Sequence, residues 1–208
     1  MSRPPMFISV EGIEGVGKTT HLPFIAEQLR ARGREVMQTR EPGGTPLGES
    51  IRTLLLDNAN AGMNEDAELL LVFAARAQHL DKVIRPALAV GIDVLCDRFT
   101  DATYAYQGGG RGIGIERIAA METFVQKSLR PHLTIIFDAP PEIACARAKQ
   151  RSASDRFEAE NVEFFTRVRE VYLQRAAREP GRYQVIDASK SIETVRGHLA
   201  SLFANMFF

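Results

Sequence analysis

The stretch MFISVEGIEGVGKTT, residues 6–20, decides the fold class of this chain. Its first part, residues 6–11, is mostly apolar and leads directly into glycines, which is typical of a buried strand in a parallel sheet. Residues 12–19 match the pattern GxxxxGK[ST] at every fixed position. A helix is predicted from residue 18 onward, so the pattern lies between a strand and a helix. That is the context in which it forms a phosphate-binding loop.

The residue types in this loop indicate how it would hold a nucleotide. Its glycines let backbone N–H groups converge on phosphate oxygens, and the helix N-terminus adds positive potential. Lys18 is expected to reach the β and γ phosphates, and the Thr19 hydroxyl can ligate Mg²⁺. The predicted ATP-binding residues of the loop are Gly12, Ile13, Glu14, Gly15, Val16, Gly17, Lys18, Thr19 and Thr20.

Further strands and helices alternate along the rest of the chain. Helices are expected at 18–32, with Pro23 inside, and at 65–90, interrupted near Pro86. A glycine-rich loop is expected at 107–114. Strands are predicted at 35–39, 92–97, 132–138 and 183–187, with helical segments between them. Such alternation predicts an α/β fold, a three-layer doubly wound parallel sheet forming one domain over residues 1–208.

Composition narrows the possible functions. The chain has 208 residues, of which 45% are hydrophobic, with 26 basic and 26 acidic side chains. A net charge near zero argues against a nucleic-acid or membrane-surface partner, because such binding depends on a wide basic field. No apolar run approaches the length of a membrane span. Cys96 and Cys145 are interpreted as apolar residues in a reducing compartment, so we expect a cytoplasmic protein.

A signalling GTPase is the first alternative for a chain with this loop. Such proteins usually carry a DxxG switch and an NKxD guanine-reading segment, and neither string occurs in the sequence. This alternative is therefore not favoured.

Five other segments, taken together with the phosphate-binding loop, carry a family resemblance. They are TREPGGT (39–45), FAARAQH (73–79), DRF (97–99), TYAYQGGGRG (103–112) and RAKQRSASDRF (147–157). In this order they resemble the thymidylate kinases of the bacterial type, over about residues 7–187. The resemblance implies a nucleoside monophosphate kinase fold with a mobile lid, ATP and dTMP as ligands, Mg²⁺ as cofactor, and a homodimer.

The acceptor side of the site can be argued partly from chemistry. Asp97 ends a buried strand at the edge where α/β proteins bind ligands, which suits a Mg²⁺ shell together with Thr19. The alternative for Asp97 is a helix N-cap. The resemblance implies that Arg52 and Arg98 hold the dTMP phosphate, although Arg52 could instead be a surface arginine of its helix. A phosphate monoester is already a nucleophile at neutral pH, so no general base is needed.

The thymine base is expected to be read by Phe73 and Arg76. These residues stand three apart in a predicted helix, so a stacking ring and a guanidinium share one face. The alternative is Phe73 in the core and Arg76 paired with an acid. By resemblance, the ring of Tyr106 lies against the sugar. The full predicted substrate-binding set is Glu41, Arg52, Phe73, Arg76, Arg98, Thr103, Tyr106 and Gln107.

The phosphate-binding loop has no cation between residues 12 and 17, so positive charge must come from elsewhere. Residues 147–157 resemble the basic lid of the family, with Arg151 as the preferred contact of the transferred phosphoryl group and Arg147 as a contact of the adenine face. Glu14 is expected to meet the sugar 3′-hydroxyl or a Mg²⁺-bound water. The predicted catalytic residues are Lys18, Arg98, Arg151 and Glu14.

Two other functions remain open from the sequence. A deoxynucleoside kinase would phosphorylate a hydroxyl, with Glu41 or Asp97 as the base. A catalytically silent nucleotide-binding module would require a damaged site, and Lys18, Thr19, Asp97 and Arg98 are all present.

Overall fold

A computed structural model of the chain describes residues 4–149 and 155–206. Its sheet has five strands: β1 Phe7–Glu11, β2 Val36–Arg40, β3 Asp93–Asp97, β4 Leu133–Asp138 and β5 Tyr183–Asp187. Their spatial order is β2-β3-β1-β4-β5, and each neighbouring pair is parallel. The predicted doubly wound α/β fold is confirmed.

The strand β1 lies in the centre of the sheet because its sequence FISVE can be buried on both faces. All five of its residues are buried. Ile8 aligns with Leu95 of β3 on one side and with Leu133 of β4 on the other. The loop that follows β1 therefore begins at the middle of the carboxyl edge, where the strand order reverses and ligands of such sheets bind.

Helices cover both faces of this sheet. They are α1 Lys18–Arg30, α2 Pro46–Leu56, α3 Glu65–His79, α4 Arg85–Ala89, α5 Thr100–Thr103, α6 Ile115–Gln126, α7 Pro141–Lys149, α8 Val162–Arg178 and α9 Ile192–Met206. The main apolar core joins β1, β4 and β5 to α1, α8 and α9. A second cluster, which includes Phe7, Val94 and Phe99, lies on the other side of β1 and β3.

The predicted long helix at 65–90 is interrupted near Pro86, as expected. The helix α3 ends at His79, a wide π-helical turn covers Leu80–Ile84, and α4 begins at Arg85. Pro86 has no N–H, and its ring would clash with the carbonyl four residues before it. The wide turn lies directly before the proline, so Pro86 stands in the first turn of a new helix, where its missing N–H is tolerated. The helix α1, in contrast, continues through the exposed Pro23.

The prediction of a glycine-rich loop at 107–114 was wrong for its first half. Tyr104–Gly110 forms a π-helical segment that continues α5. A Cβ on Gly110 would lie 2.5 Å from the ring of Phe164 in α8. Here glycine therefore serves close packing between two helical segments, which a count of glycines cannot distinguish from a turn.

Both cysteines are free; Cys96 is buried in β3 and Cys145 is partly exposed on α7. Within the described ranges, we find no helix with the length and apolarity that crossing a membrane requires.

Candidate active site

The phosphate-binding loop runs from the end of β1 to the start of α1. Lys18 is buried, and its Nζ donates to the carbonyl oxygens of Gly12 and Ile13, at 3.0 Å each. Gly15 has φ 78°, and a Cβ there would lie 1.9 Å from the carbonyl oxygen of Ala144. The loop therefore fits against α7 only with glycine at this position.

The electrostatics of Lys18 favour an anion. Burial lowers the pKa of Lys18 to about 8; the charge of Arg98 acts in the same direction, and the carboxylates of Glu14 and Asp97 oppose it. A lysine whose charge is disfavoured by burial regains it when a polyphosphate lies beside it. The loop is thus suited to the triphosphate of a nucleotide.

The loop opens into a cavity, here called the phosphate cavity, lined by Gly15, Gly17, Lys18, Thr19 and Asp97 among others. Asp97 ends β3, and its Oδ1 is buried without a hydrogen-bond partner among the residues described. It is not a helix N-cap, because α5 begins only after Phe99. An unpartnered carboxylate oxygen beside a threonine hydroxyl suits a hard cation such as Mg²⁺.

A second cavity, the acceptor cavity, lies next to the first. It is lined by seven of the predicted substrate-binding residues, namely Glu41, Arg52, Arg76, Arg98, Thr103, Tyr106 and Gln107. Glu14, Glu41, Arg52 and Arg98 line both cavities. A group moving from a ligand in one cavity to a ligand in the other would pass these four side chains.

Arg98 lies where the two cavities meet, and contacts of its backbone and of its guanidinium fix it there. Its φ is 68°, an uncommon value for a residue with a side chain, and such outliers occur often at functional sites. Nη1 donates to the carbonyl oxygen of Gly12 at 2.7 Å. Nη2 donates to Glu14 Oε1 at 2.5 Å and to the Tyr106 hydroxyl at 3.1 Å. Burial alone would raise the pKa of Glu14, but the charges of Arg98 and Lys18 outweigh it and lower this pKa to about 2.

Arg52 of α2 also lies where the two cavities meet. Its Nη1 donates to the carbonyl oxygen of Pro42 at 3.0 Å. Burial lowers the pKa of Arg52, and the neighbouring charges of Arg40 and Arg98 lower it further. Arg52 is half-buried, and three neighbouring guanidinium groups can together hold an anion, as the predicted role of Arg52 requires.

Arg76 of α3 is buried, with 1% of its surface exposed, and two of its three guanidinium nitrogens have partners in the protein. Nε donates to Glu41 Oε2 at 2.7 Å. Nη2 donates to the Thr103 hydroxyl at 2.9 Å and to the Phe99 carbonyl at 3.2 Å. Nη1 has no partner in the described part of the chain, and Arg76 lines the acceptor cavity. One buried charged donor therefore remains for a ligand.

Phe73 does not lie where a stacking platform was expected. Its ring is buried in a cluster with Leu69, Tyr104, Ile113 and Ile118. The guanidinium carbon of Arg76 lies 4.9 Å from the centre of this ring, so the shared helix face joins the two side chains to each other. Val72 is the residue beside it that lines the acceptor cavity. The expected position of Phe73 was therefore wrong: Val72, and not Phe73, lies at the acceptor cavity.

The other predicted acceptor residues are fixed by buried contacts. Thr103 receives its bond from Arg76, and Gln107 Nε2 donates to Glu68 Oε1 at 2.8 Å. The ring of Tyr106 meets that of Phe157 edge to face, with 5.8 Å between centres.

The expected lid is only partly described. Arg151 lies outside the described residues. Arg147 belongs to α7 and donates to the carbonyl oxygens of Ala188 at 2.7 Å and Ser189 at 3.3 Å. Arg156 is buried, and its Nη2 lies 2.6 Å from Glu68 Oε2. The last residues of the expected lid, 155–157, therefore pack against α2 and α3 at the acceptor cavity.

Several residues of the two cavities escaped the sequence analysis. Glu68, Val72, His79, Arg40 and Glu158 either line a cavity or hold a residue that does. Val72 and His79 lie in or beside the FAARAQH segment, so the motif drew attention to their surroundings. The direction of each α3 side chain depends on how the helix packs against α2 and α6, which a local motif does not show.

Comparisons with known proteins agree with this geometry. A model of the family described as thymidylate kinase matches residues 10–198. A thymidylate kinase of Pseudomonas fluorescens is 60% identical over 201 residues, which are 97% of this chain and 96% of that protein. One from Pseudomonas syringae pv. tomato is 59% identical over the same shares of both chains. The crystal structure of thymidylate kinase from Ehrlichia chaffeensis superposes with a TM-score of 0.79 at 35% identity, over 97% of this chain and 99% of that one. With a phosphate-binding loop, an adjoining cationic cavity and near full-length identity, this chain belongs to the thymidylate kinase family.

Proposed function

We propose that the chain transfers the γ-phosphoryl group of ATP to the phosphate of dTMP, giving ADP and dTDP, with ATP in the phosphate cavity and dTMP in the acceptor cavity. Phosphorylation of dTMP is the reaction of the family to which the chain belongs. The observation that carries the assignment is the wall of Glu14, Arg52 and Arg98 common to both cavities.

The reaction needs alignment and charge neutralisation more than proton transfer. An oxygen of the dTMP phosphate attacks the γ-phosphorus, and the bond from that phosphorus to the β–γ bridging oxygen breaks. The second pKa of a phosphate monoester is near 6, so the attacking oxygen is already unprotonated at neutral pH. Lys18 would neutralise the donor phosphates, and Arg52 and Arg98 would hold the acceptor phosphate in line.

This requirement separates the monophosphate from a nucleoside acceptor. A nucleoside kinase would need Glu41 or Asp97 as a general base. Both carboxylate oxygens of Glu41 are engaged, one by Arg76 and one by His79. Glu41 is therefore poorly placed to take a proton, and the comparisons give the deoxynucleoside kinase alternative no support.

Mg²⁺ is the proposed cofactor, with Thr19 and Asp97 as the residues that would hold it. When bound, it would neutralise charge on the β and γ phosphates. The unpartnered Oδ1 of Asp97 supports the proposal. Glu14 remains the candidate for the sugar 3′-hydroxyl or a bound water, Arg147 for the adenine face, and Arg151 for the transferred phosphoryl group.

The remaining acceptor residues are assigned to the nucleoside part of dTMP. Arg76 would donate to the thymine O4 through Nη1, with Val72 beside the base. Tyr106 would lie against the sugar, and Thr103 and Gln107 would complete the polar wall. All of these side chains line the acceptor cavity.

A cytoplasmic homodimer is the proposed state. Two free cysteines suit a reducing compartment. Leu70 of α3 and Phe124 of α6 are 56% and 79% exposed on helices that pack side by side. Exposed apolar side chains on neighbouring helices are typical of an interface, and a second copy of the chain is the proposed occupant.

A coupled assay of ADP release tests the function. With ATP and Mg²⁺, we expect turnover with dTMP and background rates with thymidine. Chelation of Mg²⁺ by EDTA should abolish turnover, and added Mg²⁺ should restore it. Turnover of thymidine without turnover of dTMP would favour the nucleoside kinase, and ATP binding without turnover of either would indicate a silent module.

A further inference from the structure

A chain of buried and partly buried hydrogen bonds leads from β2 to the guanidinium of Arg76. The Thr39 hydroxyl lies 2.6 Å from His79 Nε2. His79 Nδ1 lies 2.9 Å from Glu41 Oε1, and Glu41 Oε2 accepts from Arg76 Nε at 2.7 Å. His79 has no exposed surface, and Glu41 is 5% exposed. These bonds join the last residue of α3 to the residue that faces the acceptor cavity.

The bonding pattern assigns the protons along this chain. Glu41 balances the charge of Arg76 as a carboxylate, so His79 Nδ1 carries the hydrogen that it donates to Oε1. The other ring nitrogen is then free to accept from the Thr39 hydroxyl. In this tautomer each ring nitrogen of His79 has one partner, Glu41 at Nδ1 and Thr39 at Nε2.

This arrangement limits how Glu41 can bind the guanidinium. With Oε1 occupied by His79, the carboxylate offers only Oε2 to Arg76, and it does so at Nε. Nη2 is already directed to Thr103 and Phe99. Nη1 is left for a ligand. If His79 did not hold Oε1, the carboxylate could turn and compete with the ligand for the Nη donors.

We propose that His79 is a positioning residue for base recognition, which holds Glu41 so that Arg76 presents Nη1 to a carbonyl oxygen of the base. The proposal rests on the assignment of dTMP to the acceptor cavity. His79 acts only through Glu41 and Arg76, because it does not line the cavity. Loss of its bond should therefore weaken selection of the base and leave ATP binding unchanged.

Three substitutions at position 79 separate positioning from a general effect on the fold. The amide nitrogen of Asn can stand near the place of Nδ1, so His79→Asn can keep the donor to Glu41. The longer Gln side chain places its amide near Nε2, so His79→Gln can keep Thr39 but loses Glu41. His79→Leu loses both bonds.

The readout is kcat/KM for dTMP and for dCMP with each purified variant, together with KM for ATP. We expect His79→Gln and His79→Leu to lower the dTMP/dCMP ratio by about 3- to 30-fold, which is less than the value of a whole charged hydrogen bond because the bond from Arg76 is weakened and not removed. His79→Asn should retain most of the ratio, and KM for ATP should stay within about twofold. As a matched control, His132→Asn alters a histidine that accepts from the Phe7 N–H outside both cavities. It should leave the ratio unchanged.

Equal losses on dTMP and dCMP, or a loss in His79→Asn as large as in His79→Gln, would overturn the proposal and make His79 a residue of the fold alone. Because Asn and Gln both place an amide at position 79, their comparison remains decisive even where His79→Leu does not fold. A parent enzyme that does not phosphorylate dTMP would overturn the proposed function as well. An active parent with unchanged ratios in the variants would overturn the positioning role alone.

Discussion

Arg98 Nη2 and Glu14 Oε1 lie 2.5 Å apart on the wall that the phosphate and acceptor cavities share. The carboxylate holds the guanidinium in place and neutralises it before an anionic ligand enters. Arg98 is 13% exposed and Glu14 is 31% exposed, so the pair is largely shielded from bulk water. A preformed cation at this point avoids the cost of ordering an arginine during the reaction.

Replacing Arg98 by methionine should remove the main cation of the acceptor phosphate while keeping most of the side-chain volume. A guanidinium can hold a phosphate through two parallel bonds, each worth about 1.5 to 3 kcal/mol, so their loss should lower kcat/KM for dTMP by about 100-fold or more. Steady-state kinetics measure this. Arg117→Met is the control, because Arg117 forms an exposed surface pair with Asp66. A loss of less than about tenfold in Arg98→Met would place the phosphate elsewhere.

Replacing Arg76 by alanine should lower kcat/KM for dTMP by about 10- to 150-fold, the value of one charged hydrogen bond. Cytosine presents an amino donor where thymine presents the O4 acceptor, so dCMP never makes this bond and should lose little. The dTMP/dCMP ratio should therefore fall. If both substrates lose equally, Arg76 stabilises the cavity without reading the base.

Tyr106 is expected to select deoxyribose through its ring. Tyr106→Ala should narrow the preference for dTMP over its ribose counterpart, because the ring would crowd a 2′-hydroxyl. The hydroxyl of Tyr106 accepts from Arg98, so Tyr106→Phe serves as the matched variant that removes this bond and keeps the ring. We expect the preference to survive in Tyr106→Phe. If Tyr106→Ala, Tyr106→Phe and the parent all prefer dTMP over its ribose counterpart to the same extent, another residue selects the sugar.

Arg151 is expected to serve the transferring phosphoryl group. Arg151→Ala should lower kcat by about 10³-fold, with a much smaller change in ATP affinity, as for other arginines that stabilise this transition state. Single-turnover kinetics and ATP titration separate the two effects. Arg178→Ala, at the exposed end of α8, is the control. A kcat within about threefold of the parent would make Arg151 a surface charge.

The buried Glu11 predicts a pH dependence of stability. It accepts from the Phe99 N–H at 2.7 Å and from the Tyr172 hydroxyl at 2.9 Å. Burial, and then the charge of Asp101, raise the pKa of Glu11 from 4.5 to about 8. Because the pKa of Glu11 is higher in the folded protein than in the unfolded chain, Glu11 contributes its full stability below pH 4.5. This contribution is lost as the pH rises through 8.

Glu11→Gln removes this titration and keeps the shape of the side chain. The Tm of Glu11→Gln minus the Tm of the parent should therefore increase by roughly 5 to 10 °C between pH 5 and pH 8.5. Scanning calorimetry across this range measures it. The exposed Glu65→Gln should show no such trend. A Tm difference that is constant with pH would mean that Glu11 remains ionised in the folded protein.

The sequence predicted most of the candidate site because its residues are grouped in motifs. The loop of residues 12–19 follows β1, and Asp97 and Arg98 end β3 and begin the next connection, so the parallel sheet brings both groups to one edge. The prediction was wrong for Phe73. Positions 73 and 76 share a face, as the spacing indicates, but that face gives the ring to the apolar cluster and leaves Val72 at the cavity.

By itself, the sequence determined the α/β fold, the phosphate-binding loop and the family, because these depend on local pattern and on residues close together in the chain. The tertiary structure alone decided which donors remain free. Nη1 of Arg76 is available because Glu41 and Thr103, distant in sequence, occupy the other nitrogens, and Glu41 is in turn held by His79. The sequence places Arg156 in the expected basic lid, whereas the structure shows it buried against Glu68. Each buried charge must find its partner within the fold, and such partners lie far apart along the chain.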